Sequence, residues 1–173
     1  PRARHVVQKV AEMSNWDARG EVGTGIGFGM AYARYKNKAG YCALVAQVEV
    51  SERVKVLKVW ACVDAGHVVH ADGLRNQIEG GILQAISWSL LESVRWSGQG
   101  ISSNDWENYP ILSFQDIPQL DIHLVDDPSS LSLGSGEVVT GPCAGALGNA
   151  VAHALGVRAR HLPLSPENLI AAM

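Results

Sequence analysis

Two alternating runs, Tyr41 to Val50 and Val54 to Val63, restrict this chain more than any other segment. In the first, Cys42, Leu44, Ala46, Val48 and Val50 interleave with Ala43, Val45, Gln47 and Glu49, the period of two that an extended strand presents. Ser51-Glu52-Arg53 leaves room for a tight reversal, and the second run is rich in β-branched residues. The pair reads as an antiparallel hairpin.

Around this hairpin the apolar period becomes helical. Arg4 to Met13 sets Val6, Val7, Val10 and Met13 on one face, closed by Ser14-Asn15. Asn76 to Trp96 repeats Ile78, Ile82, Ile86, Leu90 and Val94 every fourth residue, with Leu83 and Ala85 widening the stripe. Asp72 or Asn76 is expected to cap its start. A third helix begins at Gly141-Pro142, carries Ala144, Leu147, Val151 and Leu155, and meets Gly156 where a C-terminal cap belongs. Ile26 to Tyr35 and Pro118 to Val125 read as further strands, the latter with Leu120, Ile122 and Leu124 opposed to Gln119, Asp121 and His123. Gly98 to Phe114 is irregular, with Trp106, Tyr109 and Pro110 expected to anchor it. A short strand over Arg160 to Leu164 and a helical turn opened by Ser165-Pro166-Glu167 complete the expected elements. Helices set around such strands predict an α+β fold, a mostly antiparallel sheet packed with helices. The 173 residues are expected to form one unit, with a leading helix over 1–16 and a core over 23–173.

Composition removes several function classes. Net charge of −3 gives no electrostatic reason to expect nucleic acid or an acidic membrane as partner. No run of 18 apolar residues exists to span a membrane. Three cysteines, Cys42, Cys62 and Cys143, are an odd number without CxxC spacing, which argues for buried small hydrophobes over a disulfide framework or zinc site. His67 and His70 lie in the expected loop from Val63 to Asp72 and are too few for a zinc site. Pro1-Arg2-Ala3-Arg4 has neither an initiator Met nor a signal-peptide pattern, so the chain is expected to be cut from a longer one. Its compartment, cytoplasm or periplasm, is left open.

Glycine marks the places where chemistry is to be sought. The run Gly23 to Gly29 lacks the third Gly of a dinucleotide fingerprint, since Phe28 and Met30 stand where it is needed. It reads instead as a glycine-rich strand with a bulge or close backbone packing. Gly80-Gly81 sits inside a helix, where each Gly costs about 1 kcal/mol relative to Ala. Close approach of a neighbouring strand or of a ligand would account for the pair. Gly134-Ser135-Gly136-Glu137 carries a lone acid on a glycine loop just before the third helix. The glycines can take backbone angles closed to other residues and admit a ligand closely. Glu137 is either a loop carboxylate favoured by the helix N-terminus or a general base beside a cofactor, and local spacing does not choose.

Taken together these landmarks resemble the C-terminal part of the molybdopterin-binding subunit of the xanthine dehydrogenase and aldehyde oxidase family, in its isoquinoline 1-oxidoreductase β-subunit form. Arg4 to Trp16 looks like the helix preceding the family's final domain, and Gly23 to Ala31 like its glycine-rich first strand. Val45 to Val50 is similar to the VAEVEV-like strand, and Val59 to Gly66 to the strand ending in an AVDCG-like turn. Asn76 to Ile82 is similar to the QxEGG helix start, and Gly134 to Glu137 to the GxGE loop. Ala146 to Val151, then Gly156, Arg160 and Leu162-Pro163, resemble the terminal helix and LP ending. The chain departs from the family pattern at Val68 to Asp72, in place of a VNP-type turn, and at Val138-Val139-Thr140, in place of a Pro-containing run.

The resemblance implies a molybdenum–molybdopterin cofactor in the full-length protein and hydroxylation of an N-heterocycle or aldehyde carbon with oxygen from water. It assigns Glu137 as the general base that removes the proton from the attacking hydroxyl. Gly134, Ser135 and Gly136 become backbone lining near the metal, Gln77 a pterin contact, and Gly80 and Gly81 close-packing positions beside it. It also implies the upstream part of the same subunit and a separate [2Fe-2S] subunit as partners, because no cysteine cluster for iron–sulfur ligation is present here. The fragment alone is expected to fold but neither to hold cofactor nor to turn over. The rival expectation is a non-catalytic α+β binding or assembly module.

Overall fold

The computed structural model describes residues 1–173. A four-stranded sheet forms its centre. In it β2 (Tyr41–Val50) lies between β1 (Ile26–Arg34) and β3 (Val54–Asp64) and runs antiparallel to both. Strand β6 (Gln119–Val125) joins the far edge parallel to β3. The expected hairpin is therefore present, with a register shift between Gln47 and Val48.

Helix α1 (Arg2–Met13) covers one face of the sheet, while α2 (Ala71–Leu90) and α3 (Thr140–Leu155) cover the other. The alternation of β2 divides its side chains between two cores. Cys42, Leu44, Ala46 and Val48 pack with Ile78, Ile82 and Ile86 of α2 and Leu147 and Val151 of α3. Ala43 and Val45 pack with Val6 and Val10 of α1, beside Trp60 and Cys62. Phe28 stacks on Trp60 over this second core, with ring centroids 6.2 Å apart. All three cysteines are buried and free, as their reading as small hydrophobes requires. Burial pushes the Cys62 and Cys143 thiols up to about 12.

Several boundaries differ from the sequence expectation. Helix α2 begins at Ala71, and neither Asp72 nor Asn76 caps it; Nδ1 of His70 accepts the Gly73 N–H at 2.8 Å. A histidine ring nitrogen does here what a Ser or Asp oxygen does at most helix starts. The helix ends at Leu90, and Val94 is 56% exposed rather than part of the stripe. Trp96 belongs to a small hairpin, β4 (Trp96–Ser97) with β5 (Gly100–Ile101). Trp106 is 79% exposed. Tyr109 does anchor the 98–114 segment, its hydroxyl donating to Glu92 at 2.8 Å, and the Leu112 N–H, which donates to Ser87 Oγ at 3.0 Å, ties the segment to α2. Arg160 to Leu164 is not a strand. The Leu164 N–H donates to the Ser89 carbonyl at 2.7 Å and its side chain enters the core, so the segment docks on the end of α2. The terminal turn forms as α4 (Pro166–Ile170), capped by Ser165.

Candidate functional site

The segment after β6 returns across the C-terminal end of β3. Gly66, at φ +72°, turns the chain out of β3, and a Cβ there would lie 2.1 Å from the Leu131 carbonyl oxygen. The Ala65 carbonyl accepts the Leu133 N–H at 2.7 Å, and the Gly66 carbonyl accepts the Asp127 N–H at 3.3 Å. Asp127 itself accepts from the hydroxyls of Ser129 and Ser130. These bonds deliver residues 133–137 to a fixed place beside the sheet. Val138 and Val139, both buried, then root the start of α3 in the core.

Three independent contacts hold the glycine loop. The Gly40 N–H, in the turn between β1 and β2, donates to the Gly134 carbonyl at 3.3 Å. Nε2 of Gln77, in the second turn of α2, donates to the Gly136 carbonyl at 2.7 Å. The Tyr35 hydroxyl, just beyond β1, donates to Glu137 Oε2 at 2.5 Å. Gln77, which stands far from Gly134, Ser135, Gly136 and Glu137 in the sequence, is thus brought together with them. The Glu137 carboxylate is exposed, and it lies next to the Gln77 end of α2 rather than on a remote surface. Gln77 and Ser135 also line an open cleft of about 260 Å³ with His67, His70 and Leu133.

The glycines serve differently from expectation. Neither Gly134 nor Gly136 adopts a positive φ, so the loop does not need them for its backbone angles. A Cβ at either position would meet no atom within 4 Å. The same holds for Gly80, one turn along α2 from Gln77, whereas a Cβ on Gly81 would lie 2.7 Å from Val139 Cγ2. The helical pair therefore splits: Gly81 yields to the start of α3, and Gly80 faces open space. His70, the helix cap, and His67, with Nδ1 3.6 Å from Asp126 Oδ1, are loop residues in the cleft wall.

Nothing local in the sequence points to Tyr35. It stands 102 positions from Glu137, and no spacing signals that their side chains meet.

Bare backbone on two segments, with an amide, a hydroxyl and a carboxylate converging on it, is what a domain offers to a large, rigid ligand that needs close approach. The fold is an α+β domain built on a mostly antiparallel sheet. Residues 5–118 match the family described as "Molybdopterin cofactor-binding domain". Over its whole length the chain is 36% identical to a nicotinate dehydrogenase chain of Pseudomonas putida, covering 16% of that protein. It is 34% identical to the beta chain of isoquinoline 1-oxidoreductase from Brevundimonas diminuta over 96% of this chain and 21% of that one. Among solved structures, quinoline 2-oxidoreductase from Pseudomonas putida 86 superposes with a TM-score of 0.68 at 26% identity, covering 77% of this chain and 18% of that one. The aldehyde oxidoreductase from Desulfovibrio desulfuricans gives 0.68 at 28% identity, covering 78% and 15%. The chain belongs to the molybdopterin cofactor-binding domain family, in the xanthine dehydrogenase group of molybdenum hydroxylases. It spans 16–21% of the length of the two curated relatives named.

Proposed function

We propose that this chain works as the part of a full-length molybdenum hydroxylase subunit that supplies the general base, Glu137, for adding water-derived oxygen to a carbon of an N-heterocycle or aldehyde. The observation that supports this most is the Gln77–Gly136 hydrogen bond of 2.7 Å, which puts the two family landmarks, QxEGG and GxGE, side by side around Glu137. The open space beside Gly80, Gly134 and Gly136 fits a bulky group placed against them. Gln77, Ser135 and the backbone of Gly134 and Gly136 would hold it.

When bound, the molybdenum–pterin group supplies the two-electron redox chemistry. The protein's share is position and proton transfer. Glu137 takes the proton from the attacking oxygen on its carboxylate, a role worth about 10²–10⁴-fold in rate. The buried Val138 and Val139 behind it and the Gln77 amide beside it keep the loop from drifting. The upstream part of the same subunit completes the cradle and the substrate pocket, and a [2Fe-2S] subunit carries the electrons away. The three thiols here are buried on both sides of the sheet and ill placed to ligate a cluster.

Glu137→Gln in the full-length subunit tests the assignment. Hydroxylation is expected to fall by at least about 100-fold with molybdenum still bound. Undiminished turnover would move the base elsewhere. Metal analysis of the isolated 173-residue chain is expected to find little molybdenum, and a stoichiometric content would overturn the view that the cradle needs the upstream part.

A further inference from the structure

We infer that Tyr35 is the positioning residue for the Glu137 carboxylate, holding one of its oxygens so that the other faces the reacting proton. This rests on the reading of Glu137 as general base. The geometry is specific to the pair. The Tyr35 hydroxyl donates to Oε2 at 2.5 Å, and no group of this chain donates to Oε1.

The tyrosine is itself rigidly presented. Its N–H donates to the Gly40 carbonyl at 2.8 Å, closing a turn in which Lys36 and Asn37 adopt positive φ of 50° and 57°. Gly40 in the same turn is bonded to Gly134, and a Cβ there would lie 3.2 Å from both the Gly134 carbonyl oxygen and Val138 Cγ2. The turn between β1 and β2 is therefore packed against the glycine loop at both of its ends. Tyr35 reaches the carboxylate from a frame that already grips the backbone beneath it.

The physical need is plain. A glutamate on an exposed loop has three rotatable bonds, and a general base must hold its oxygen within hydrogen-bond reach of the proton it takes. A short bond from a neutral donor to an ionised carboxylate is of the stronger, charge-assisted kind. It fixes Oε2 and leaves Oε1 to accept. Once Oε1 carries the proton, Oε2 is the carbonyl oxygen of a neutral acid and still accepts from the phenol. Tyr35 keeps its own proton throughout, so it orients the base and does not replace it.

The test is Tyr35→Phe in the full-length subunit, made in parallel with Glu137→Gln. The ring and its packing remain, and only the hydroxyl is lost. The expected result is a kcat lower by about 10–100-fold with KM within about twofold, since misplacement of a catalytic group by about 1 Å costs that much. Molybdenum content is expected to be unchanged. A crystal structure of the variant supplies the second readout, with the Glu137 carboxylate displaced or spread over several rotamers. An unchanged carboxylate in that structure, or a kcat within twofold of wild type while Glu137→Gln is inactive, would overturn the role of Tyr35 and leave the base assignment standing. Loss of molybdenum from Tyr35→Phe would also overturn it, as the residue would then serve cofactor retention. Full activity of Glu137→Gln would remove the base and this inference together.

Discussion

A Cβ on Gly29 would lie 2.1 Å from the backbone carbonyl oxygen of Ala146. Two residues earlier, a Cβ on Gly27 would lie 1.9 Å from the Ala150 carbonyl oxygen. Strand β1 and helix α3 thus touch backbone to backbone along one edge of the sheet. This contact accounts for Gly27 and Gly29 in the run that imitates a nucleotide fingerprint, whereas Gly23 and Gly25 adopt a φ of +82°. Asn149 seals it, with Nδ2 donating to the Met30 carbonyl at 2.9 Å.

Gly29→Ala is therefore expected to destabilise the chain by about 3 kcal/mol or more, because every clashing atom, on Ala146, Asn149 and Ala150, is backbone and not a flexible side chain. Urea unfolding of the purified chain followed by circular dichroism would measure it. A loss below about 1 kcal/mol would show that α3 can move away at little cost.

Gly80 and Gly81 should part company under the same substitution. Gly80→Ala in the isolated chain is expected to gain up to about 1 kcal/mol, since the new methyl meets nothing and helix propensity improves. Gly81→Ala is expected to lose stability against Val139. In the full-length subunit, Gly80→Ala should lower molybdenum content if that open face is occupied by cofactor. Thermal unfolding and metal analysis on the same variants separate a packing role from a ligand role.

Arg2 and Asp64 predict a particular acid sensitivity. The guanidinium donates to both carboxylate oxygens, at 2.7 and 2.5 Å, with the Asp64 side chain only 4% exposed. Burial alone would raise the Asp64 carboxyl, but the Arg2 hydrogen bonds, the Gly66 N–H and the Arg2 charge outweigh it and hold the group below its ordinary 3.8. The pair therefore stabilises the fold fully above pH ~4, and that share is lost as pH falls through the depressed folded value. Arg2→Ala removes the partner and leaves burial dominant, so stability at pH 7 should fall by about 2 kcal/mol and the remaining acid limb should flatten or reverse. Stability curves between pH 2 and 7 for the two proteins provide the comparison.

Much of this molecule follows from local pattern. The periods of two in residues 41–50 and 54–63 and the stripe of Ile78, Ile82, Ile86 and Leu90 identify their elements, because burial of one face imposes the repeat. Gly156 ends α3 at φ +72°, as its position suggests. Weaker local signals fail where tertiary contacts compete. His70 caps α2 although its residue type rarely does so, and Leu164 pairs with a helix end although its neighbours look extended. Alternation also cannot state direction; the parallel docking of β6 on β3 goes instead with the long helix between them, the kind of crossover that parallel strands require.

The sequence by itself determined the main strands and the three long helices, the two landmark motifs and the family, because each rests on residues near one another along the chain. Only the tertiary structure decided that Gln77 holds Gly136, that Tyr35 meets Glu137, and that Gly80 faces open space while Gly81 does not. Those facts depend on how separate elements pack against one sheet, and a packing geometry has no period or spacing to betray it in advance.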